Sequence, residues 1–444
     1  MKAVLLIDYG STYTKVVAVD IGSSKLLGCS SSYTTIETDV GEGLACALQE
    51  LEKQTGKLDY HKKMACSSAA GGLRMVASGL VPELTAKAAS LAAMGAGAKI
   101  TGLYSHEMIE DDIEEISKNA PDIFLLTGGT DGGNKKCILH NAELLANAPG
   151  DYPIIVAGNR NAARDVMRIL SNRRAYLCEN VMPSIGTLNI EPARQLIRDI
   201  FLEKIVHAKG LDDEVSMPTP AAVLAATQLL ATDIGDMMAI DLGGATTDIY
   251  SIANGGPKVA KILYKGLPEP YAKRTVEGDI GMRYSMQGIV DAAGMSKISK
   301  LSEQSEDDVN KRIQYLSKHT EALPQNDNEK SLDYALAAMA IEMATLRHAG
   351  TMEEYYSSSG LSYVQSGKDL TEVQTIIMTG GALINSDRQN ELLEYALYSE
   401  TQPQSLRPKK ANLLVDKKYI LSAMGLLSSY APKVALEIMK SELN

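Results

Sequence analysis

An aspartate followed two residues later by glycine, and then by hydroxyl side chains, occurs twice in this chain. The first copy is Asp8-Tyr9-Gly10-Ser11-Thr12-Tyr13-Thr14-Lys15 and the second is Asp241-Leu242-Gly243-Gly244-Ala245-Thr246-Thr247-Asp248. Such a turn suits a polyphosphate. Glycine lets the backbone come close to phosphoryl oxygens without a Cβ in the way. Successive N–H groups of a tight turn point into one concavity that attracts anions. Ser11, Thr12, Thr246 and Thr247 offer hydroxyl donors, and Lys15 offers a point charge that can reach a β- or γ-phosphate. Aspartates beside phosphates repel them unless a cation intervenes, so Asp8 and Asp241 imply Mg2+ held through its waters. Asp248 is then left to orient or polarise an attacking water. One Asp-x-Gly turn alone is usually just a hairpin; the repetition, each copy with a downstream Thr-Gly-Gly, reverses that balance in favour of the chemistry.

The elements that must position these turns are short apolar runs. Ala3–Ile7 and Val16–Asp20 flank the first turn, and Met238–Ile240 and Ile249–Ile252 flank the second. Two strands joined by a polar turn form a hairpin, not the strand–helix unit of a dinucleotide-binding fold. A second pair of segments accompanies them. Ile123–Leu126 runs into Thr127-Gly128-Gly129, and Ile376–Met378 runs into Thr379-Gly380-Gly381. The order is the same in both halves, so one domain plan is duplicated, with a boundary near Thr232–Gly235. The expected division is 1–234, 235–410 and a C-terminal segment 411–444, whose stretch 418–430 reads as a terminal helix packing back on the first half. Gly380 and Gly381 would let an adenosine lie against the backbone. Gly128 and Gly129 are likewise expected to bind the nucleotide cofactor, and they open a glycine-dense loop in which Asp131 either faces the site or caps a helix. Helices are expected at 85–98, 105–118 (an acidic, solvated face) and 331–348, and a polar loop or insertion at 301–330.

Composition narrows the function. The 444 residues exceed the size at which one core stops growing. Charged residues make up 22% and hydrophobic ones 45%, a globular balance. With 44 basic against 55 acidic residues the net charge is −11, which argues against a general nucleic-acid binder. No apolar run reaches the length of a membrane span, and no signal peptide is expected. The five cysteines are odd in number, widely spaced and without a C-x-x-C pair, as expected of free thiols in a reducing cytoplasm.

Residues 5–17, 238–250 and 376–384 resemble the first phosphate loop, second phosphate loop and adenosine loop of the actin-like ATPase superfamily: actin, Hsp70 chaperones and sugar kinases. Lys15, seven residues after Asp8, is similar to the actin branch. Ala245 departs from the third glycine of many members but still permits a turn with negative φ. The resemblance implies a duplicated α/β, ribonuclease H-like ATPase fold, two lobes around a nucleotide cleft, with ATP and Mg2+ bound there. Within that superfamily the chain resembles the MutL/GlmL family over nearly its whole length. The more particular stretches are Thr127–Gly133, Val156–Asn159, Arg274–Arg283 and Arg347–Gly350. That resemblance implies an ATP-dependent reactivating chaperone, whose protein partner is an adenosylcobalamin-dependent mutase such as glutamate mutase and which exchanges damaged cobalamin. Gly278 and its neighbours either close over the nucleotide or, with Glu277, Asp279 and Arg283, form an ion-pair turn. His348 is either a ligand or a satisfied core histidine. A small-molecule kinase, an iron–sulfur activator and a nucleotide-binding filament remain as alternatives.

Overall fold

The computed structural model describes residues 2–10, 12–33, 40–68, 73–209, 215–259, 262–357 and 360–443. Its packing divides the chain into two units. One is Met1–Val223 with Gly266–Pro268 and Gly425–Ala431; the other is Leu224–Lys265 with Glu269–Met424 and Pro432–Asn444.

The first unit opens with β1 (Ala3–Tyr9), β2 (Tyr13–Asp20), β3 (Lys25–Tyr33), α1 (Val40–Thr55) and β4 (Tyr60–Ser67). There follow β5 (Leu73–Gly79), a π-turn at Pro82–Ala86, α2 (Lys87–Gly95), β6 (Ala98–Ser105), α3 (Glu110–Asn119) and β7 (Ile123–Leu126). Next come α4 (Lys136–Asn147), β8 (Ile154–Val156), α5 (Ala163–Ile169), β9 (Ala175–Leu177), α6 (Glu191–Lys209) and β10 (Val215–Pro218). Helix α7 (Thr219–Ile234) then carries the chain from the first unit into the second.

These strands make two separate sheets. One runs β10-β4-β1-β2-β3, and the other is the all-parallel β6-β5-β7-β8-β9. The parallel sheet is thus inserted in the chain between β4 and β10. Every residue of β1 is buried, so its apolar run lies between two covered faces. An aliphatic core joins β1, β2 and β4 to α1, α2, α6 and one face of the inserted sheet. A second core covers that sheet's other face with α3, α4 and α5.

The second unit contains β11 (Met237–Leu242), β12 (Thr247–Ile252), β13 (Ile262–Lys265), β14 (Ala272–Glu277), α8 (Met286–Ala293), α9 (Met295–Ser302), α10 (Glu306–Leu316) and α11 (Asp327–His348). It continues with β15 (Thr351–Ser357), β16 (Gly360–Ser366), β17 (Thr375–Thr379), α12 (Gly381–Ile384), α13 (Gln389–Glu394), β18 (Asn412–Val415), α14 (Leu421–Ser428) and α15 (Pro432–Glu442). Its main sheet runs β14-β12-β11-β17-β18, and β13-β16-β15 forms a small second one.

The two main sheets share one plan. In each, the first strand pairs antiparallel with the second, the second antiparallel with the third, and the first parallel with a fourth that pairs parallel with a fifth. Duplication of the domain plan is therefore a property of topology and register. One part of the expected correspondence fails. The counterpart of β17, which leads into Thr379-Gly380-Gly381, is β4, whereas Thr127-Gly128-Gly129 follows β7 of the inserted sheet. The loop after β4, which holds Gly71 and Gly72, lies outside the described residues.

Three local expectations also change. The polar stretch 301–330 is mostly helical, with α10 begun by Ser305 accepting from the Asp308 amide and α11 begun by Asn326 accepting from the Glu329 amide. The acidic segment 105–118 forms α3 only from Glu110, and its Ile113 and Ile116 are buried. The segment 411–444 contains a strand of the second sheet and two helices, α14 and α15, not one. Within it, residues 425–431 group with the first unit, and Gly425 packs so closely on Ala222 that a Cβ would meet its carbonyl oxygen at 1.8 Å. Among the described residues no helix is long and apolar enough to cross a membrane.

Candidate functional site

The β1–β2 hairpin pairs Asp8 directly with Lys15, and the β11–β12 hairpin pairs Asp241 directly with Asp248. Both turns close the same way. The Gly10 amide donates to Tyr13 O at 3.1 Å, and the Gly243 amide donates to Thr246 O at 2.9 Å. A Cβ on Gly10 would lie 2.5 Å from Tyr13 O, so only glycine fits that turn. Ser11 lies outside the described residues; Thr12 is partly exposed beside it.

Asp8 is buried at 3% exposure. The Thr219 hydroxyl, at the start of α7, donates to its Oδ1 at 2.5 Å. Cys66 stands opposite Asp8 on β4, and burial, reinforced by the Asp8 charge, pushes its thiol well above the usual range. A thiol so held is a proton donor to its surroundings and an unreactive nucleophile.

The second turn shows how such a loop becomes an anion cradle. The loop after β14 covers its carbonyl oxygens. Gly243 O accepts from the Met282 amide at 3.0 Å, Gly244 O from the Arg283 and Tyr284 amides at 2.8 and 2.9 Å, and Ala245 O from the Ser285 hydroxyl at 2.7 Å. A trans peptide points its N–H opposite to its C=O. The amides of Gly244, Ala245 and Thr246 therefore all point away from that loop, and none has an acceptor among the described residues. Three consecutive amides on one side form a nest for an oxyanion. Ala245 is absent from the residues with positive φ, as expected. Gly281 makes the cover possible, since a Cβ there would meet Ala245 C at 2.4 Å.

Several expected roles change. Asp248 is buried and engaged: Arg274 Nη2 and Nε reach its Oδ1 at 2.6 and 2.7 Å, and Thr246 Oγ1 donates to its Oδ2 at 3.2 Å. It braces β12 against β14. The Thr247 hydroxyl is fully buried and donates to Ile280 O at 3.0 Å, so the side chain fixes the covering loop and is not a phosphate donor. Gly278 lies in that loop between Glu277 and Asp279, which both pair with Arg347 at 2.7 and 3.0 Å. Burial pushes the Glu277 carboxyl up, with Arg347 opposing. Arg283 joins a different pair, with Asp333 at 3.0 Å. His348 is a satisfied core histidine, its Nδ1 on Thr275 Oγ1 at 2.7 Å and its Nε2 on Ser251 Oγ at 2.8 Å.

Gly380, at φ 98°, ends β17 against the backbone of β11, where a Cβ would sit 2.3 Å from Leu242 O. Its role in the fold is this close approach; Gly381 follows at the start of α12. Gly128 and Gly129 belong to the inserted sheet. There Asp131 braces its own loop, accepting from the Arg160 amide and Asn180 Nδ2 at 3.0 and 2.9 Å. Among the described residues no group of three or more His, Cys, Asp or Glu side chains could hold a metal ion. All five cysteines are free.

Sequence reasoning missed Thr219 and Arg274. Thr219 is signalled by its place after β10, and Arg274 only by the register of β14 on β12.

Two five-stranded sheets of one order, each opened by an Asp-Gly hairpin, define the duplicated ribonuclease H-like fold of the actin-like ATPase superfamily. The chain belongs to the MutL protein family, which it matches over residues 4–443. It is 46% identical over 459 residues to "Protein MutL" of Clostridium tetanomorphum, covering all of this chain and 99% of that one. Among solved structures, similarity extends to a nucleotide-free acetone carboxylase, with a TM-score of 0.41 and 14% identity over 96% of this chain and 70% of that one. It extends also to component A of the (R)-2-hydroxyglutaryl-CoA dehydratase of Acidaminococcus fermentans, with a TM-score of 0.33 and 11% identity over 98% and 99%. The fold assignment itself rests on strand order and register.

Proposed function

We propose that this chain is an ATP-dependent reactivating chaperone of an adenosylcobalamin-dependent mutase, glutamate mutase or a related aminomutase. ATP binding and hydrolysis drive exchange of damaged cobalamin for intact cofactor. The observation that carries the ATP part is the second hairpin, where three consecutive amides face one way with no acceptor among the described residues. The first hairpin contributes Lys15 as the phosphate-directed charge, with the Thr12 hydroxyl and the Gly10 turn. Asp8 and Asp241 are hard oxygen donors of the kind that bind Mg2+ through its waters. The role as a reactivase is supported by membership of the MutL family. Five free cysteines fit a reducing compartment, and the cytoplasm is the proposed location.

The test combines the purified chain with inactivated mutase, ATP and fresh adenosylcobalamin. Mutase activity is expected to return with ATP and not without it, and Asp8→Ala, checked for folding by circular dichroism, is expected to abolish recovery. Recovery indifferent to ATP would refute the reading. ATP turnover that requires an added sugar or acid would replace it with a kinase.

A further inference from the structure

The inserted sheet of the first unit runs β6-β5-β7-β8-β9 with every pair parallel. Its winding reverses between β5 and β7. Open parallel sheets take ligands outside the carboxyl ends of their strands at such a reversal, and here that place has donors without acceptors.

The hydrogen-bond ladder shows which way they point. Thr127 N–H donates to Ser78 O on β5, while Leu126 O and Gly128 O accept from Ala157 and Asn159 on the β8 side. The peptide joining Gly128 to Gly129 thus turns its carbonyl to β8, and its trans geometry turns the Gly129 N–H toward β5. β5 has ended by then. The amides of Leu80 and Val81 fold onto Thr85 Oγ1 at 2.7 and 3.1 Å, and the chain leaves through the π-turn. The Gly129 N–H, though buried, has no acceptor among the described residues. The next peptide repeats the arrangement: Gly129 O accepts from Asn180 Nδ2 at 3.1 Å, so the Thr130 N–H faces the other way, again with no acceptor.

A second, independent observation lies on β5. Ser78 Oγ is fully buried and has no hydrogen-bond partner. Ser78 sits opposite Leu126 in the last rung of the β5–β7 ladder. Strand alternation places it on the face shared with Val76 and Leu126, the face that α4 covers. The first turn of α4 adjoins the loop, with Ile138 Cβ 3.4 Å from where a Cβ on Gly128 would be. A buried hydroxyl left unpaired is destabilising, because its desolvation is not offset by a hydrogen bond; an acceptor at this spot would offset it.

We infer that the crevice at the carboxyl ends of β5 and β7 is a second binding site, for a phosphate-bearing ligand, separate from the hairpins. The Gly129 and Thr130 amides and the Ser78 and Thr130 hydroxyls donate to its oxygens, and the N-terminus of the 12-residue α4 lies behind them. Four donors, one from the end of β5 and three from the loop after β7, suit a phosphoryl group better than the two oxygens of a carboxylate. The exposed Lys135 and Lys136 add positive charge at the start of α4. The loop is held ready: Asn159 accepts from the Gly132 amide and donates to Gly133 O and Asn134 O, at 3.2, 3.1 and 3.0 Å.

The test saturates the full chain with a non-hydrolysable ATP analogue and titrates it calorimetrically with inorganic phosphate and, separately, with adenosine monophosphate. At least one is expected to bind. Binding of phosphate alone identifies a free-phosphate site, and tighter binding of the monophosphate a nucleotide site. Ser78→Ala and Thr130→Val are each expected to weaken binding about tenfold, or 1.4 kcal/mol. Ser78→Ala is also expected to raise the unfolding temperature of the ligand-free chain, because it removes an unpaired hydroxyl. Binding is expected to survive Asp8→Ala, which separates this site from the hairpin reading. The inference is overturned if neither probe binds, if both crevice variants bind like the parent, or if Asp8→Ala alone removes binding.

Discussion

The β1–β2 and β11–β12 hairpins are the same piece of backbone put to different electrostatic use. Both place an aspartate opposite the residue seven positions later, and both close their turn with a glycine amide on a carbonyl three residues on. In the first the opposite residue is Lys15; in the second it is Asp248, neutralised by the buried Arg274. The fifth strands differ in the same way. After β10 comes Thr219, which donates to Asp8; after β18 comes Asp416, which accepts from Thr379 at 3.3 Å and from the Ile420 and Leu421 amides. Duplication preserves the position of each group and lets its charge change. The first hairpin thus keeps a cation at its turn, while the second relies on amide dipoles and locks its carboxylate away.

The sharpest way to break the comparison is to remove Arg274. Arg274→Met leaves the Asp248 carboxylate buried without its ion pair and is expected to cost about 3–5 kcal/mol, measured by urea denaturation. Asp248→Leu added to it is expected to restore part of that loss, because the stranded charge goes too; a double-mutant cycle reads the coupling. A cost below about 1 kcal/mol for Arg274→Met would mean the pair is not the brace described.

The next effect belongs to the first hairpin. Thr219→Val keeps the shape and removes the donor to Asp8, a hydrogen bond to a charged group worth about 1.5–3 kcal/mol. Loss of that stability together with weaker ATP binding is expected. Loss of stability with unchanged ATP binding would show that Thr219 serves the fold and not the site.

How much of this is legible in the sequence depends on how local each feature is. The hairpins are, because an Asp-x-Gly turn between two apolar runs is a contiguous signal. The Thr127-Gly128-Gly129 segment misleads for the same reason: a short apolar strand ending in glycines looks alike in any parallel sheet, and only pairing with distant strands assigns β7 to the inserted one. The counterpart of β17 is β4, and the residues that follow Ser68 lie outside the described ones. The Asp248–Arg274 pair is illegible, since its partners are 26 residues apart and meet only through the register of β14 on β12. Thr247 is likewise read as a ligand donor, because nothing local reveals that Ile280 O lies over it.

The second unit also buries a lysine amine. Lys368 is fully buried with its Nζ donating to Ser251 O, Pro270 O and Tyr271 O at 3.2, 2.9 and 2.7 Å. Burial, and then the neighbouring Lys273, lower its pKa from 10.5 to about 7, against the weaker pull of Glu269 and Asp236. Between those two values the unfolded chain holds a proton that the folded chain has released. The unfolded state binds more protons there, so stability rises with pH, by at most about 1.4 kcal/mol per unit. Denaturation at pH 7, 8 and 9 is expected to show this slope in the parent chain and a flatter one in Lys368→Met. Parallel slopes would show that the amine does not titrate in that window.

The smallest expected effect on stability is the most telling for function. Lys15 stands where Asp248 stands in the other hairpin, yet it is only partly buried. Partly solvated charges contribute little to folding, so Lys15→Gln is expected to change stability by no more than about 0.5–1 kcal/mol. Its charge is nonetheless expected to matter to a triphosphate, with ATP affinity falling about tenfold, a shift of about 1.4 kcal/mol, and falling less at high salt because the lost interaction is screened there. Calorimetric titration at two ionic strengths checks both parts. If Lys15→Gln destabilised the chain as much as Arg274→Met while leaving ATP affinity intact, the two hairpins would be equivalent struts, and the division into a charged turn and an amide turn would fall.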